Sequence, residues 1–276
     1  MNFDLEDCMR LTDRLRWEDL DLTVFKDEPL SEEALRCVRY MHDVEFHTAC
    51  YLRDLLVSPA HADPDITSFL SIWAFEELWH GEAIAAVLAA HHEPAGSARV
   101  GPMRKRLGLA DRIRPVAMLG GSWIAGRDLV ALQMAWGAIN EMTTQAGYAL
   151  LAARANSPVL TALLKRIMLQ EGRHIDFYTC QAHARLADSV KAQRFSRAAL
   201  RCLWSPVGSR VMPSSETDHL SRYLFGGVEG AKAIRRVDRK TDRLPGLAGL
   251  GLLRHWFAHL PIQEEFPLLP DRRRGR

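Results

Sequence analysis

Long stretches rich in alanine and leucine, with apolar residues three or four positions apart, dominate this sequence. The alternation of apolar and polar residues that is typical of β-strands is almost absent. This periodicity predicts an all-α protein. Long helices are expected at 31–57, 65–91, 127–155 and 157–188, and shorter ones near 193–203, 216–225, 227–242 and 247–259.

Serine, aspartate and proline mark the boundaries of the long segments. Ser31 precedes two glutamates and predicts a helix start, Asp63-Pro64-Asp65 predicts a stop and a restart, and Pro158 stands where proline favours the first helical turn. Between the second and third long helices, residues 93–126 contain several glycines, prolines and arginines. Because glycine and proline disfavour helices, we expect a long irregular crossover there, with at most short helical pieces.

Four long helices with one long connection between the second and third match a ferritin-like four-helix bundle. We expect the bundle core over about 31–190 and additional C-terminal helices over about 191–262. At 276 residues the chain is long enough for one large domain, and we interpret 1–276 as a single ferritin-like domain.

Charge and composition exclude several classes of protein. The 36 basic residues nearly balance the 34 acidic ones, whereas a dedicated nucleic-acid binder normally carries a much larger basic excess. No apolar run approaches the roughly 20 residues that span a bilayer, and the acidic N-terminus is unlike a signal peptide. Five widely spaced cysteines without a CxxC motif argue against disulfides and thiolate zinc sites, and favour the cytoplasm.

Two of the predicted long helices carry a Glu-x-x-His motif. These are Glu77 with His80 and Glu171 with His174. Because residues three apart on a helix share a face, each pair presents a carboxylate oxygen and an imidazole nitrogen to one point. The motif alone is a weak signal, and its weight here depends on what precedes it.

A further glutamate stands on the helix before each motif. Glu45 precedes Glu77 by 32 residues and Glu141 precedes Glu171 by 30, about the length of one antiparallel helix hairpin. This order over four helices is that of di-iron carboxylate bundles, and the donor set suits iron or manganese with open positions for oxygen. The predicted metal ligands are Glu45, Glu77, His80, Glu141, Glu171 and His174.

Other acids and histidines have more ordinary interpretations. A third motif, Glu216 with His219, follows a helix-start signature and lacks a partner glutamate on a preceding long helix, so we expect a structural role. Glu76 lacks the three-residue spacing to His80 and is expected behind the ligands or on the surface. The histidines expected not to bind metal are His42, His47, His91 and His92.

Several segments resemble the soluble acyl-[acyl carrier protein] desaturases. The segment 73–82, WAFEELWHGE, is similar to that family's W-x-x-E-E-x-x-H-G-D/E motif. The segments 141–144, EMTT, and 171–174, EGRH, are similar to its E-x-x-T and E-x-R-H motifs. Near the end, 242–249 resembles a family segment containing L-x-G-L-x-G, so that the resemblance covers roughly 15–262.

The resemblance implies a homodimer with two iron ions, or a mixed manganese–iron pair, beside a narrow apolar channel. It also implies a ferredoxin-like electron donor and a substrate presented by acyl carrier protein. Glu77 and Glu171 would bridge the ions, Glu45 and Glu141 would be terminal ligands, and Thr144 would hydrogen-bond oxygen-derived species. The alternative for Thr144 is a hydrogen bond to a carbonyl of its own helix.

The resemblance leaves alternatives open. Gln170 stands where the family commonly has an acidic residue that supports a ligand histidine, and such a change can alter ligand orientation and affinity. A related di-iron hydroxylase or N-oxygenase acting on a natural-product intermediate would keep the same ligands. Some N-oxygenases have an extra histidine one turn before the last motif, and Ile167 occupies that position here. A non-catalytic iron-binding protein and a purely structural helical protein also remain. Basic residues between Arg99 and Arg114 form a candidate surface for an acidic carrier, or a solvated charge run.

Overall fold

The computed structural model describes residues 3–258, except for some side chains between 109 and 124. These residues contain no β-strand, and the all-α prediction is confirmed. The α-helices are α1 Leu5–Leu11, α2 Glu32–Leu56, α3 Pro64–Ala90, α4 Ser97–Ala125, α5 Arg127–Arg154, α6 Pro158–Ala187, α7 Val190–Leu203, α8 Ser214–Phe225, α9 Gly227–Thr241 and α10 Leu252–Ala258. Two short 3₁₀ helices cover Leu22–Lys26 and Pro59–Ala62.

The four long predicted helices begin and end within two residues of their expected bounds. Their starts have the local cause that the sequence indicated, a side-chain oxygen that accepts a hydrogen bond from a free backbone N–H. Ser31 accepts from Ala34, and Ser157 accepts from Leu160. Because these bonds join residues three apart, they depend on local sequence alone.

The predicted irregular crossover over 93–126 is wrong for most of its length. Residues 97–125 are helical, and the break between two helical pieces lies at Gly108, whose φ is 55° and ψ is −133°. In the first piece, Val100 and Met103 are buried in a cluster with Tyr40 and Val44 of α2. Burial against a neighbouring helix here outweighs the low helix propensity of glycine and proline.

The short helix predicted over 247–259 is also shorter in the structure. It begins at Leu252, because Gly249 and Gly251 have φ values of 72° and 58° that interrupt a right-handed helix. Residues 259–262, which end the predicted helix and the predicted C-terminal extension, lie outside the described residues.

The long helices pack as two hairpins, α2 along α3 and α5 along α6. The hairpins meet where α3 contacts α6 and α2 contacts α5, so all four helices face a common interior. The C-terminal helices then cover this bundle, with α7, α8 and α9 contacting α5 and with α8 also contacting α2. Within residues 3–258, no helix is both long and apolar enough to cross a membrane.

Gly137 sets how closely α5 approaches α6. A Cβ atom added at Gly137 would lie 2.5 Å from the ring of Tyr178 on α6. The Tyr178 ring in turn packs edge-on against Trp73 of α3, with ring centroids 6.0 Å apart. The missing side chain therefore allows a buried aromatic contact that joins three helices of the bundle.

Gly137→Ala is expected to lower the free energy of unfolding by about 1–3 kcal/mol, because the Tyr178 ring must move to admit the methyl group. Gly172→Ala on α6 is the matched control, since nothing beyond its chain neighbours and its own helix backbone lies within 4 Å of the added Cβ, and its free energy of unfolding should rise by about 0.5–1 kcal/mol. Urea denaturation of both variants measures the difference. Equal stabilities would contradict the packing argument.

Candidate metal centre

The six predicted ligands lie on the four long helices, and all are buried. Glu45 comes from α2 and Glu141 from α5, while α3 and α6 each contribute one Glu-x-x-His pair. His80, Glu171 and His174 have no exposed surface. Charged and polar groups at this depth require partners or a bound cation.

The ligand atoms form two groups that share one residue. In the first group, donor atoms of Glu45, Glu77 and His80 lie within 4.8 Å of one another. In the second group, donor atoms of Glu77, Glu141, Glu171 and His174 do the same. Each group has a size and composition that suit one metal ion, and Glu77 belongs to both.

Glu77 and Glu171 lie between the two histidines. The Nδ1 atom of His80 is 3.8 Å from Glu77 Oε1 and 3.5 Å from Glu171 Oε1. The Nδ1 atom of His174 is 3.3 Å from Glu77 Oε1 and 3.3 Å from Glu171 Oε2. Both carboxylates are therefore positioned to bridge two ions, one beside each imidazole.

Several buried oxygen and nitrogen atoms of this cluster that could bind a metal have no hydrogen-bond partner among the described residues. They are Glu45 Oε2, Glu77 Oε1, His80 Nδ1 and Glu171 Oε1. Buried polar atoms are nearly always hydrogen-bonded, and a group of unpaired acceptors around one point is an arrangement that a bound cation would satisfy. The residues present thus fit a pair of oxygen- and nitrogen-liganded metal ions.

The remaining carboxylate oxygens are held by neighbouring side chains. The Tyr148 hydroxyl donates a hydrogen bond to Glu45 Oε1, and the Trp73 indole N–H donates to Glu141 Oε1 at 3.1 Å. Thr48 donates to Glu77 Oε2 at 3.2 Å. These bonds orient the carboxylates, and for Glu45 and Glu77 they leave the second oxygen free toward the centre.

The pKa values of three groups in the cluster are raised. Burial and the neighbouring carboxylates raise the pKa of Glu45 and of Glu141 well above the ordinary value of 4.5. For His174, burial opposes the charge, but contacts with the Glu171, Glu76 and Glu77 carboxylates outweigh it and raise the pKa well above 6.5. The cluster without metal therefore retains protons that bound cations would displace.

Each imidazole turns its other nitrogen to the residue that directly precedes a ligand glutamate on the opposite helix. His174 Nε2 lies 2.8 Å from Glu76 Oε2, and Glu76 also pairs with Arg173. His80 Nε2 lies 2.9 Å from Gln170 Oε1. Of the two positions expected for Glu76, the structure places it behind the ligands, with no exposed surface.

The resemblance placed Gln170 where a residue supports a ligand histidine, and Glu76 was expected behind the ligands or on the surface, but which histidine each one contacts was not predicted. The available signal was their equivalent position, since Glu76 precedes Glu77 as Gln170 precedes Glu171. The supporting roles of Tyr148, Trp73 and Thr48 were also missed. Their partners are at least 29 residues away in the chain, so no local motif contains both groups.

The third Glu-x-x-His motif lies outside both metal groups. Glu216 pairs with Arg36, with Oε2 and Nε 2.7 Å apart, and His219 Nε2 lies 3.0 Å from the Glu33 carbonyl. His42 Nε2 accepts a hydrogen bond from the backbone N–H of Gly96. Neither metal group among the described residues includes His42, His47, His91 or His92.

Thr144 lies three residues after Glu141 and is half-buried. With Glu45 and Tyr148 it lines a narrow pocket between α2, α5 and α8, of about 50 Å³. The hydroxyl of the neighbouring Thr143 donates a hydrogen bond to the Ile139 carbonyl of its own helix at 2.7 Å. The apolar walls of the pocket include Met41, Val44, Val207, Leu220, Leu224 and Phe225.

Comparisons with known proteins do not identify a family for this chain. No family model matches the sequence. No curated protein and no solved structure matches it either. The function is therefore inferred from the residues of the chain, whose helical bundle buries four carboxylates and two imidazoles in two adjoining groups that could each hold a metal ion.

Proposed function

We propose that this protein is an O₂-dependent non-haem di-iron oxidase, a desaturase that introduces a double bond into an acyl chain carried on acyl carrier protein. The observation that carries the proposal is the contact between two features. Glu45 is a member of one cation group and also lines the apolar pocket. An alkyl chain in that pocket would lie directly beside the metals.

The centre would hold two iron ions through Glu45, Glu77, His80, Glu141, Glu171 and His174, with a manganese–iron pair as the alternative. When bound, such a pair supplies the oxidising power to remove hydrogen from an unactivated C–H bond, with O₂ and two electrons as co-reactants. The chain's own contribution is fixed geometry, since Tyr148, Trp73 and Thr48 hold the carboxylates in place.

The pocket supplies the substrate half of the proposal. Its mostly apolar walls favour a hydrocarbon, of which a volume of about 50 Å³ admits a short segment beside Glu45. Thr143, Thr144 and Tyr148 line the same pocket as Glu45. An apolar pocket at the metal centre favours an oxidase over an iron-storage protein, because storage needs no space for an organic substrate.

The proposed partners rest on the desaturase resemblance and on charge. Arg104, Lys105 and Arg106 of α4 are exposed and offer a basic surface for an acidic carrier protein, while the side chains of Arg112 and Arg114 lie outside the described residues. Arg99 is instead paired with Asp43 at 2.8 Å. A homodimer, a ferredoxin-like donor and a cytoplasmic location complete the proposal.

The direct test is a single-turnover reaction. Iron-loaded, chemically reduced protein is mixed with O₂ and acyl carrier proteins bearing saturated chains of different lengths, and the acyl products are analysed by mass spectrometry. Loss of two hydrogen atoms from the chain is the expected result. Gain of one oxygen atom would instead identify a hydroxylase, and oxidation of none of the acyl chains would contradict the proposed substrate.

Filling the pocket is expected to block oxidation without removing the metal. A Cβ atom at Gly147 would lie 3.6 Å from Met41 and 3.8 Å from Leu224, so Gly147→Ala fits without strain. Gly147→Leu extends further into the pocket and should lower product formation at least about tenfold, as expected for loss of substrate positioning. Metal content measured on both variants provides the comparison. Equal activities would show that the substrate lies elsewhere.

A further inference from the structure

The two imidazoles of the centre have hydrogen-bond partners of different charge. Behind His174 lies the carboxylate of Glu76, whose Oε2 is 2.8 Å from His174 Nε2 and whose other oxygen pairs with the Arg173 guanidinium. Behind His80 lies the neutral side-chain amide of Gln170. The two halves of the centre are otherwise similar in geometry, so this difference stands out.

The orientation of the Gln170 amide follows from its second contact. Its nitrogen, Nε2, lies 2.9 Å from the backbone carbonyl oxygen of Asp13, which can only accept a hydrogen bond. The amide nitrogen must therefore face Asp13, and the amide oxygen must face His80. His80 consequently carries its proton on Nε2 and turns Nδ1 toward the carboxylates.

The Asp13 carbonyl is held in place by the N-terminal segment, residues 4–20. In this segment, the Trp17 ring packs on Trp79 with centroids 6.1 Å apart. Arg166 of α6 bonds the Asp19 carboxylate at 2.6 Å. A carboxylate at position 170 would put an oxygen against the Asp13 carbonyl where the amide N–H now donates. The packing of this segment thus favours the neutral amide over a charged group.

A charged acceptor makes an imidazole a stronger ligand than a neutral acceptor does. Because Glu77 and Glu171 lie beside both imidazoles, the difference between the two positions lies in these acceptors.

We propose that the two metal positions differ in their affinity for a divalent ion. The position formed by His174, with Glu76 behind it, binds the first divalent ion more tightly than the position formed by His80, with Gln170 behind it. Glu76 and Gln170 are then positioning residues that determine the order of filling. This inference rests on the proposed di-metal function and adds the order in which the centre loads.

The test is a calorimetric titration of the metal-free full-length protein with Mn²⁺ under nitrogen, which requires no turnover. Two binding steps of one ion per chain are expected, with affinities that differ at least about tenfold. His80→Ala should remove the weaker step and keep the tighter one. His174→Ala should remove the tighter step.

Glu76→Gln makes the two acceptors alike and should weaken the tighter step about 10–100-fold, so that the two steps converge. Glu82→Gln removes the same charge from an exposed position on the same helix and should leave both steps unchanged. Circular dichroism establishes that each variant is folded. If Glu76→Gln does not fold, the assignment by His80→Ala still decides the order.

Two equal steps in the unmodified protein would overturn the inference and leave the di-metal proposal standing. Loss of the tighter step in His80→Ala, or an unchanged difference in folded Glu76→Gln, would also overturn it. Absence of any Mn²⁺ and Fe²⁺ binding would instead contradict the proposed function itself. The two failures are therefore distinguishable.

Discussion

Glu171→Ala is expected to reduce bound metal from about two ions per chain to well below one and to abolish oxidation. Glu171 is fully buried and lies within 3.5 Å of both ligand histidines, so its removal takes an oxygen donor from both metal positions. Elemental analysis after anaerobic iron loading measures the metal, and the single-turnover reaction measures the oxidation. His174→Ala should also abolish oxidation and lower the metal content.

The matched control is Glu216→Ala, which alters a glutamate of the third Glu-x-x-His motif. Its carboxylate pairs with Arg36 at a partly exposed site and belongs to neither metal group. Metal content and oxidation should remain nearly unchanged, with at most about 1 kcal/mol lost in stability. Equal loss of metal in Glu171→Ala and Glu216→Ala would mean that the ligand assignment is wrong.

The metal-free protein is expected to lose stability as the pH rises above the ordinary pKa values of its buried glutamates and histidine, 4.5 and 6.5. In the folded state the pKa values of Glu45, Glu141 and His174 are raised, so this state binds protons that the unfolded chain has already released. Stability then falls by about 1.4 kcal/mol per pH unit for each additional proton bound. The loss begins above the ordinary pKa of each group and ends at its folded value.

Metal loading should remove this pH dependence. Bound cations require deprotonated carboxylates and neutral imidazoles, so the folded state then holds no additional protons. At metal concentrations near 100 times the dissociation constant, binding should add about 2.7 kcal/mol. Thermal unfolding from about pH 6 to about pH 9, with chelator and with Mn²⁺, measures both effects. A metal-free protein that becomes more stable toward high pH would contradict the assigned protonation.

At acidic pH, two other carboxyl groups change the stability in the opposite direction, so that stability falls as the pH falls. The hydrogen bond and charge of His174, together with the nearby His80 ring, overcome burial and lower the pKa of Glu171, and the pKa of Glu76 is also lowered. Both groups are therefore ionised in the folded state at pH values where the unfolded chain is protonated. Their contribution is present above the ordinary carboxyl pKa of 4.5 and is lost as the pH falls below it.

The long helices and their starts could be predicted because the causes are local. Apolar spacing, the caps at Ser31 and Ser157, and the prolines of the first turns all act within one or two turns of helix. The same locality explains the error over 97–125. Glycine and proline there weaken the helix locally, but the burial of Val100 and Met103 against α2 was invisible to local reasoning.

The sequence by itself determined which side chains could form a metal centre, since helical spacing puts each glutamate and histidine pair on one face and four helices carry the donors in order. Only the tertiary structure decided how the centre is completed. It brought Gln170 behind His80, Glu76 behind His174, and α8 over the pocket beside Glu45. These contacts join residues far apart in the chain, and their geometry depends on how the helices pack rather than on any local pattern.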